Sequence, residues 1–116
     1  MESNTYFWEL DHQSLIQLIE DPDPEKTQYK TGAQEELDSR NISPEEIMAL
    51  AIAVNEDIAY EKIVNEDITK AEVSMHKSTF LSEDEIKQIY IQQLEKYIKY
   101  KNQFRFDVWS YAIGGI

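Results

Sequence analysis

Two serine-led start signals constrain what this chain can fold into more than any other feature. Ser43-Pro44-Glu45-Glu46 offers a hydroxyl to cap free amides, a proline at the first helical position, and a glutamate three residues after the serine. Leu81-Ser82-Glu83-Asp84-Glu85-Ile86 repeats the device, with Ser82 and Glu85 as a capping box and Leu81 and Ile86 as a hydrophobic staple. Each signal precedes a long stretch with helical periodicity, so the sequence predicts an all-α fold built on two long helices. Their expected bounds are about 44–76 and 83–113, and the short turn Lys77–Leu81 makes them an antiparallel hairpin. Residues 1–40 supply a short helical or extended segment packed across the hairpin.

In the second long helix Ile86, Ile89, Tyr90, Leu94, Tyr97, Tyr100, Phe104, Val108 and Tyr111 hold one stripe at about 100° per residue, with Gly114 as a C-terminal stop. An alternative breaks this helix near Asn102 and makes Phe104–Val108 a strand. The first long helix is less regular. It contains VNEDI twice, at Val54–Ile58 and Val64–Ile68. Ten residues turn through about 1000°, so the copies do not share a face. One stripe comprises Ile47, Leu50, Ala51, Val54 and Ile58; a second, rotated stripe comprises Tyr60, Val64, Ile68, Ala71 and Met75. A heptad seam through these positions meets Asp57 and Glu61 at its centre, which predicts a bend, a break or a wet gap near Ala59.

Upstream, Thr5–Leu10 is a short aromatic run, strand or extended arm, and Asp11 suits the N-cap of a helix carrying Leu15, Ile16, Leu18 and Ile19. Pro22 and Pro24 end that helix, and the segment through Gly32 reads as an exposed acidic loop before a second short helix at Ala33–Ser39.

The 116 residues are expected to form a single acidic helical domain, with 41% hydrophobic residues supplying enough apolar material for a core despite a net charge of −12. Cysteine is absent, so disulfides and thiolate metal sites are excluded. The longest apolar run, Ile47–Val54, is eight residues, far below the roughly 20 of a membrane helix. With no signal-like N-terminus, a cytoplasmic protein that does not engage membranes is expected. Residues 1–76 hold 18 Asp and Glu against 5 Lys and Arg, whereas residues 77–116 hold 5 against 6. That asymmetry disfavours direct nucleic acid binding and favours a basic protein surface as partner.

No catalytic, cofactor or metal site is expected. His76 reads as a solvated helix end and His12 as a surface residue in a first helical turn; neither has a second ligand at metal spacing. Glu45, Glu56 and Asp67 are eleven residues apart and form one ridge on a continuous helix, flanked by Asp57 and Glu66. This acidic surface is the candidate docking site of an inhibitor, antagonist or immunity-type binding protein whose partner handles nucleic acid. Phe106, Trp109 and Ile113 lie off the main stripe of the second long helix and suggest the alternative, an assembly factor that homo-oligomerises through C-terminal aromatics.

Overall fold

The computed structural model describes residues 7–68 and 74–114, with side chains as far as residue 103. These residues form helices and connections and no strand. A single-turn 3-10 helix, Phe7–Glu9, precedes α1 (His12–Glu20); a second 3-10 turn, Pro24–Lys26, leads into α2 (Thr27–Ser39), followed by α3 (Pro44–Glu66) and α4 (Glu83–Gly114). Helix α1 packs on both α2 and α3, and α3 packs on α4. Leu15, Ile16 and Ile19 of α1, Ala33 and Leu37 of α2, Ala51, Val54, Ala59 and Ile63 of α3, and Ile86, Ile89, Tyr90 and Tyr97 of α4 form one core.

The helix starts follow the local chemistry of the sequence. Asp11 Oδ1 accepts from Ser14 N at 2.8 Å and opens α1. Ser43 Oγ accepts from Glu46 N at 3.2 Å ahead of Pro44. At α4 the box is reciprocal: Ser82 Oγ accepts from Glu85 N at 3.2 Å while Glu85 Oε1 accepts from Ser82 N at 2.8 Å.

Several expectations are corrected or narrowed. The acidic stretch after Pro22 is not a loop through Gly32. Asp23 accepts from Glu25 N and Pro24 stands at a helical first position, the same arrangement as Ser43-Pro44, so helical structure resumes at once and α2 starts at Thr27. Gly32 lies inside α2, where the Phe7 ring packs so closely that a Cβ there would sit 2.2 Å from a ring carbon. The Arg40 guanidinium fixes this corner, donating to Glu36 Oε2 at 2.9 Å, to His12 Nδ1 at 3.0 Å, and to the carbonyls of Phe7 and Trp8.

Of the alternatives at the interrupted seam the break is excluded, since α3 runs through Ala59, while Asp57 and Glu61 are both exposed, as the wet alternative expects. The buried line is Ala51, Val54, Asn55, Ala59 and Ile63, which winds gradually around the helix, by about 40° every four residues, and includes a polar residue. Val64, placed on the second apolar stripe, is exposed.

Helix α3 stops at Glu66, ten residues before position 76. Asp67 adopts the left-handed conformation (φ 50°, ψ 48°). Its N–H donates to Val64 O at 3.2 Å, and the N–H of Ile68 donates to Ile63 O at 3.0 Å. These paired bonds are a Schellman stop, with Ile68 tucked against the core beside Ile63.

The two long helices do not form an antiparallel hairpin. Asn55 and Tyr90 share a hydrogen-bonded partner in His76, Tyr60 meets Tyr97 edge to face at 6.2 Å, and Asp67 pairs with Lys101 at 2.8 Å. Partners therefore rise together along α3 and α4, and the helices run in the same direction. Parallel neighbours need a connection long enough to return along the first helix. Residues 67–82 provide it, and their described part, 74–81, runs back past Lys62, then Asn55, then Glu20. The strand alternative for Phe104–Val108 is also set aside, because α4 continues to Gly114.

Candidate functional site

Where α1, α3, α4 and the returning segment meet, a chain of polar groups crosses the apolar core. Glu20, in the last turn of α1, is 2% exposed, and Asn55, in the middle of α3, is 0% exposed. Burying such groups costs several kcal/mol unless each finds a partner, and here each does. Glu20 Oε2 accepts from Asn55 Nδ2 at 2.7 Å and from the Ser78 hydroxyl, while Glu20 Oε1 accepts from Thr79 N at 2.7 Å. Asn55 Nδ2 also donates to Ala51 O at 2.7 Å. Both amide hydrogens are thereby committed, so Asn55 Oδ1 faces His76 Nε2 as an acceptor, at 2.6 Å. The proton of His76 therefore sits on Nε2, and Nδ1 accepts from the Tyr90 hydroxyl at 2.8 Å. The Tyr90 oxygen in turn lies 3.4 Å from the His76 N–H. No buried side-chain N or O among the described residues lacks a partner.

Burial holds the His76 imidazole below its ordinary value, with Glu20 pulling the other way and Lys62 adding to the depression. Burial likewise pushes the Tyr90 phenol up, against the hydrogen bond from the His76 backbone and reinforced by Glu66. A recess of about 540 Å³ is lined by His76 together with Asp21, Glu61, Glu66, Lys62 and Ile58. Another, of about 440 Å³, is lined by His76 together with Met75, Leu81 and Ile86. His76 borders both.

The sequence reading of His76 as a solvated helix end is overturned, since the ring is half-buried with both nitrogens engaged. Such a ring has no free nitrogen with which to take or give a proton to a substrate. Among the described residues no group of three or more His, Asp or Glu is arranged to hold a metal ion.

The acidic residues singled out by sequence are not drawn together. Glu45, Asp57 and Glu66 are exposed along α3 and Glu56 is half-buried. Asp67 lies beyond the helix end, turned toward α4, where its Oδ1 accepts from Tyr97 Oη at 2.6 Å and from Lys101 Nζ at 2.8 Å. The hydrogen bond from Lys101, then that from Tyr97, and the Lys101 charge hold the Asp67 carboxyl below its ordinary range. Phe106, Trp109 and Ile113 belong to α4 by backbone, and their side chains lie outside the described residues.

Sequence reasoning missed Glu20, Asn55 and Tyr90 as a set. One signal was present: Asn55 follows Val54 at a core position of α3, four residues from both Ala51 and Ala59. A polar residue at such a position needs a partner from elsewhere in the chain.

No protein-family model matches the chain, and no curated protein or solved structure matches it either. The class rests on the fold: a protein of packed helices whose core is crossed by a fully satisfied polar chain. No described helix is long and apolar enough to cross a membrane.

Proposed function

We propose that this is a non-enzymatic binding protein, of the inhibitor, antagonist or immunity type, that uses an acidic surface to occupy a basic site on a partner protein. The observation that supports this most directly is the charge of α3. Glu45, Glu46, Asp57, Glu61 and Glu66 are exposed along it, and its one cation, Lys62, is turned onto the Ser74 carbonyl. A helix left this acidic around its exposed surface attracts a basic patch from a distance and raises association rates in a salt-dependent way. The test captures partners from a native lysate and measures association of the purified pair at low and high salt. The quadruple variant Glu45→Lys, Glu56→Lys, Asp57→Lys, Glu66→Lys is measured alongside. Slower association with a flatter salt slope is the expected result; equal rates and slopes for both forms would sink the proposal.

A second reading, self-assembly through α4, is favoured by one observation. Helix α3 ends beside Lys101, whereas α4 continues to Gly114, about 20 Å further along its axis. Phe106 and Trp109 fall in that overhang. A mass measurement in solution showing an oligomer that survives high salt supports this reading over the first.

A further inference from the structure

Besides the Lys62 ammonium on the Ser74 carbonyl at its exposed start, the returning segment 74–81 is fastened at two points inside the fold. One is the carboxyl of Glu20, which accepts from Ser78 and Thr79. The other is the His76 ring, which stands between Asn55 of α3 and Tyr90 of α4 and thereby joins three elements distant in sequence. We propose that His76 is a pH-operated latch: while neutral it locks segment 74–81 between α3 and α4, and on acidification it releases that segment while α1, α2 and α3 stay folded.

The hydrogen-bond geometry carries the argument. With the proton on Nε2, every polar atom of the junction is matched: Tyr90 Oη donates to Nδ1, Nε2 donates to Asn55, and Asn55 donates to Glu20 and to Ala51. A second proton must go to Nδ1. It then points at an oxygen that also faces the His76 N–H, and the Tyr90 hydroxyl must turn its own hydrogen away from the ring. The phenol oxygen can then accept from Nδ1, but the hydroxyl hydrogen loses its partner, and a full charge is added in the same half-buried place.

The surrounding charges are mixed. Glu20 of α1 favours a cation, but the Asn55 amide stands between them; Lys62 of α3 opposes one. Asp21 of α1 and Glu61 and Glu66 of α3 line the recess beside the ring, Tyr90 faces it from α4, and Lys77 and Glu83 flank the other recess. Burial outweighs Glu20, so the folded ring titrates below its ordinary value of about 6.5. The sign follows from that direction. A base whose folded value is depressed contributes its full stabilisation above the unfolded value, and loses it as pH falls from there through the folded value. The latch is therefore closed at neutral pH and opens under mild acid. Because His76 lines both recesses, its release lets the one beside α1 and α3 communicate with the one beside the start of α4.

The test is amide hydrogen exchange on the full chain at pH 7.5 and pH 5.5, corrected for intrinsic rates. It is read at His76, Thr79, Phe80 and Leu81, whose N–H groups bond within the junction or to Ser78. The expected result is a loss of protection at these amides of several-fold, up to the roughly ten-fold that one proton can supply at pH 5.5, with the α3 interior unchanged. In His76→Gln, which cannot be charged, the loss is absent. Tyr90→Phe, which removes the hydroxyl from Nδ1, moves the opening toward neutral pH and provides a second readout if His76→Gln does not fold. Unchanged protection at pH 5.5, an equal loss in His76→Gln, an opening unmoved in Tyr90→Phe, or a loss shared by the α3 interior overturns the latch.

Discussion

Tyr97 Oη donates a 2.6 Å hydrogen bond to Asp67 Oδ1, joining the residue that terminates α3 to the middle of α4. The same oxygen accepts from Lys101 one turn further along α4. A left-handed aspartate is otherwise costly backbone, tolerated because a short polar side chain can be bonded locally or, as here, by a neighbouring helix. The contact ties the Schellman stop of α3 to α4 and sets the level at which α4 passes it.

The first prediction concerns acid titration of this pair. With Lys101 and Tyr97 holding the Asp67 carboxyl below its ordinary range, the stabilisation it brings is complete above about pH 3.9 and is lost only as pH falls through the lowered value. Carbon-13 detected titration of Asp67 is expected to move upward in Tyr97→Phe. The Tyr97 phenol should ionise above its ordinary value, because the bond to Asp67 opposes its loss of a proton. An Asp67 midpoint identical in wild type and Tyr97→Phe would show that the hydroxyl contributes nothing.

Charge reversal separates the roles of the acidic residues. Asp67→Lys places a cation beside Lys101 and discards the bond to Tyr97, so its thermal midpoint should fall well below wild type. Asp57→Lys, at an exposed position inside α3, should stay near it, since such substitutions usually change stability by under about 0.5 kcal/mol. Equal midpoints for the two variants would mean that Asp67 is merely a surface charge.

The polar chain through the core behaves as a unit. Asn55→Ala removes partners from both Glu20 and His76 and is expected to cost about 3 kcal/mol by urea denaturation. Combining it with Glu20→Gln should cost less than the sum of the single changes, because each variant already disrupts the shared bond. Strict additivity in that double-mutant cycle would refute the coupling.

Ser82→Ala removes one half of the reciprocal box at the start of α4 and should destabilise by about 1 kcal/mol. An unchanged thermal midpoint would indicate that this cap does not hold the helix start.

Gly32→Ala should change sign with background. In the wild type an added methyl group collides with the Phe7 ring and destabilises. In a Phe7→Ala chain the collision is gone, and alanine's helix preference should stabilise α2 by up to about 1 kcal/mol. Destabilisation in both backgrounds would point to a cause other than the ring.

The sequence by itself determined the features that depend on neighbours within one turn. The caps at Asp11, Ser43 and Ser82 lie where their hydroxyl or carboxylate oxygens reach the amide three residues on. The stripe of α4 from Ile86 to Tyr97 is buried as its period demands, although Tyr100, next on that stripe, is 58% exposed because α3 has already ended. Helical class followed from these local signals. The tertiary structure alone decided where α3 stops, which way α4 runs and what the histidine does. Each of those rests on a contact between residues far apart in sequence: Asp67 with Tyr97 and Lys101, Asn55 with Glu20, His76 with Asn55 and Tyr90. Local pattern puts Asn55 on the core face with no visible partner and reads His76 as solvated, since a polar group alone in a core is costly. Folding resolves both by supplying a partner 35 residues away for one and two partners for the other, and no local pattern encodes such a meeting.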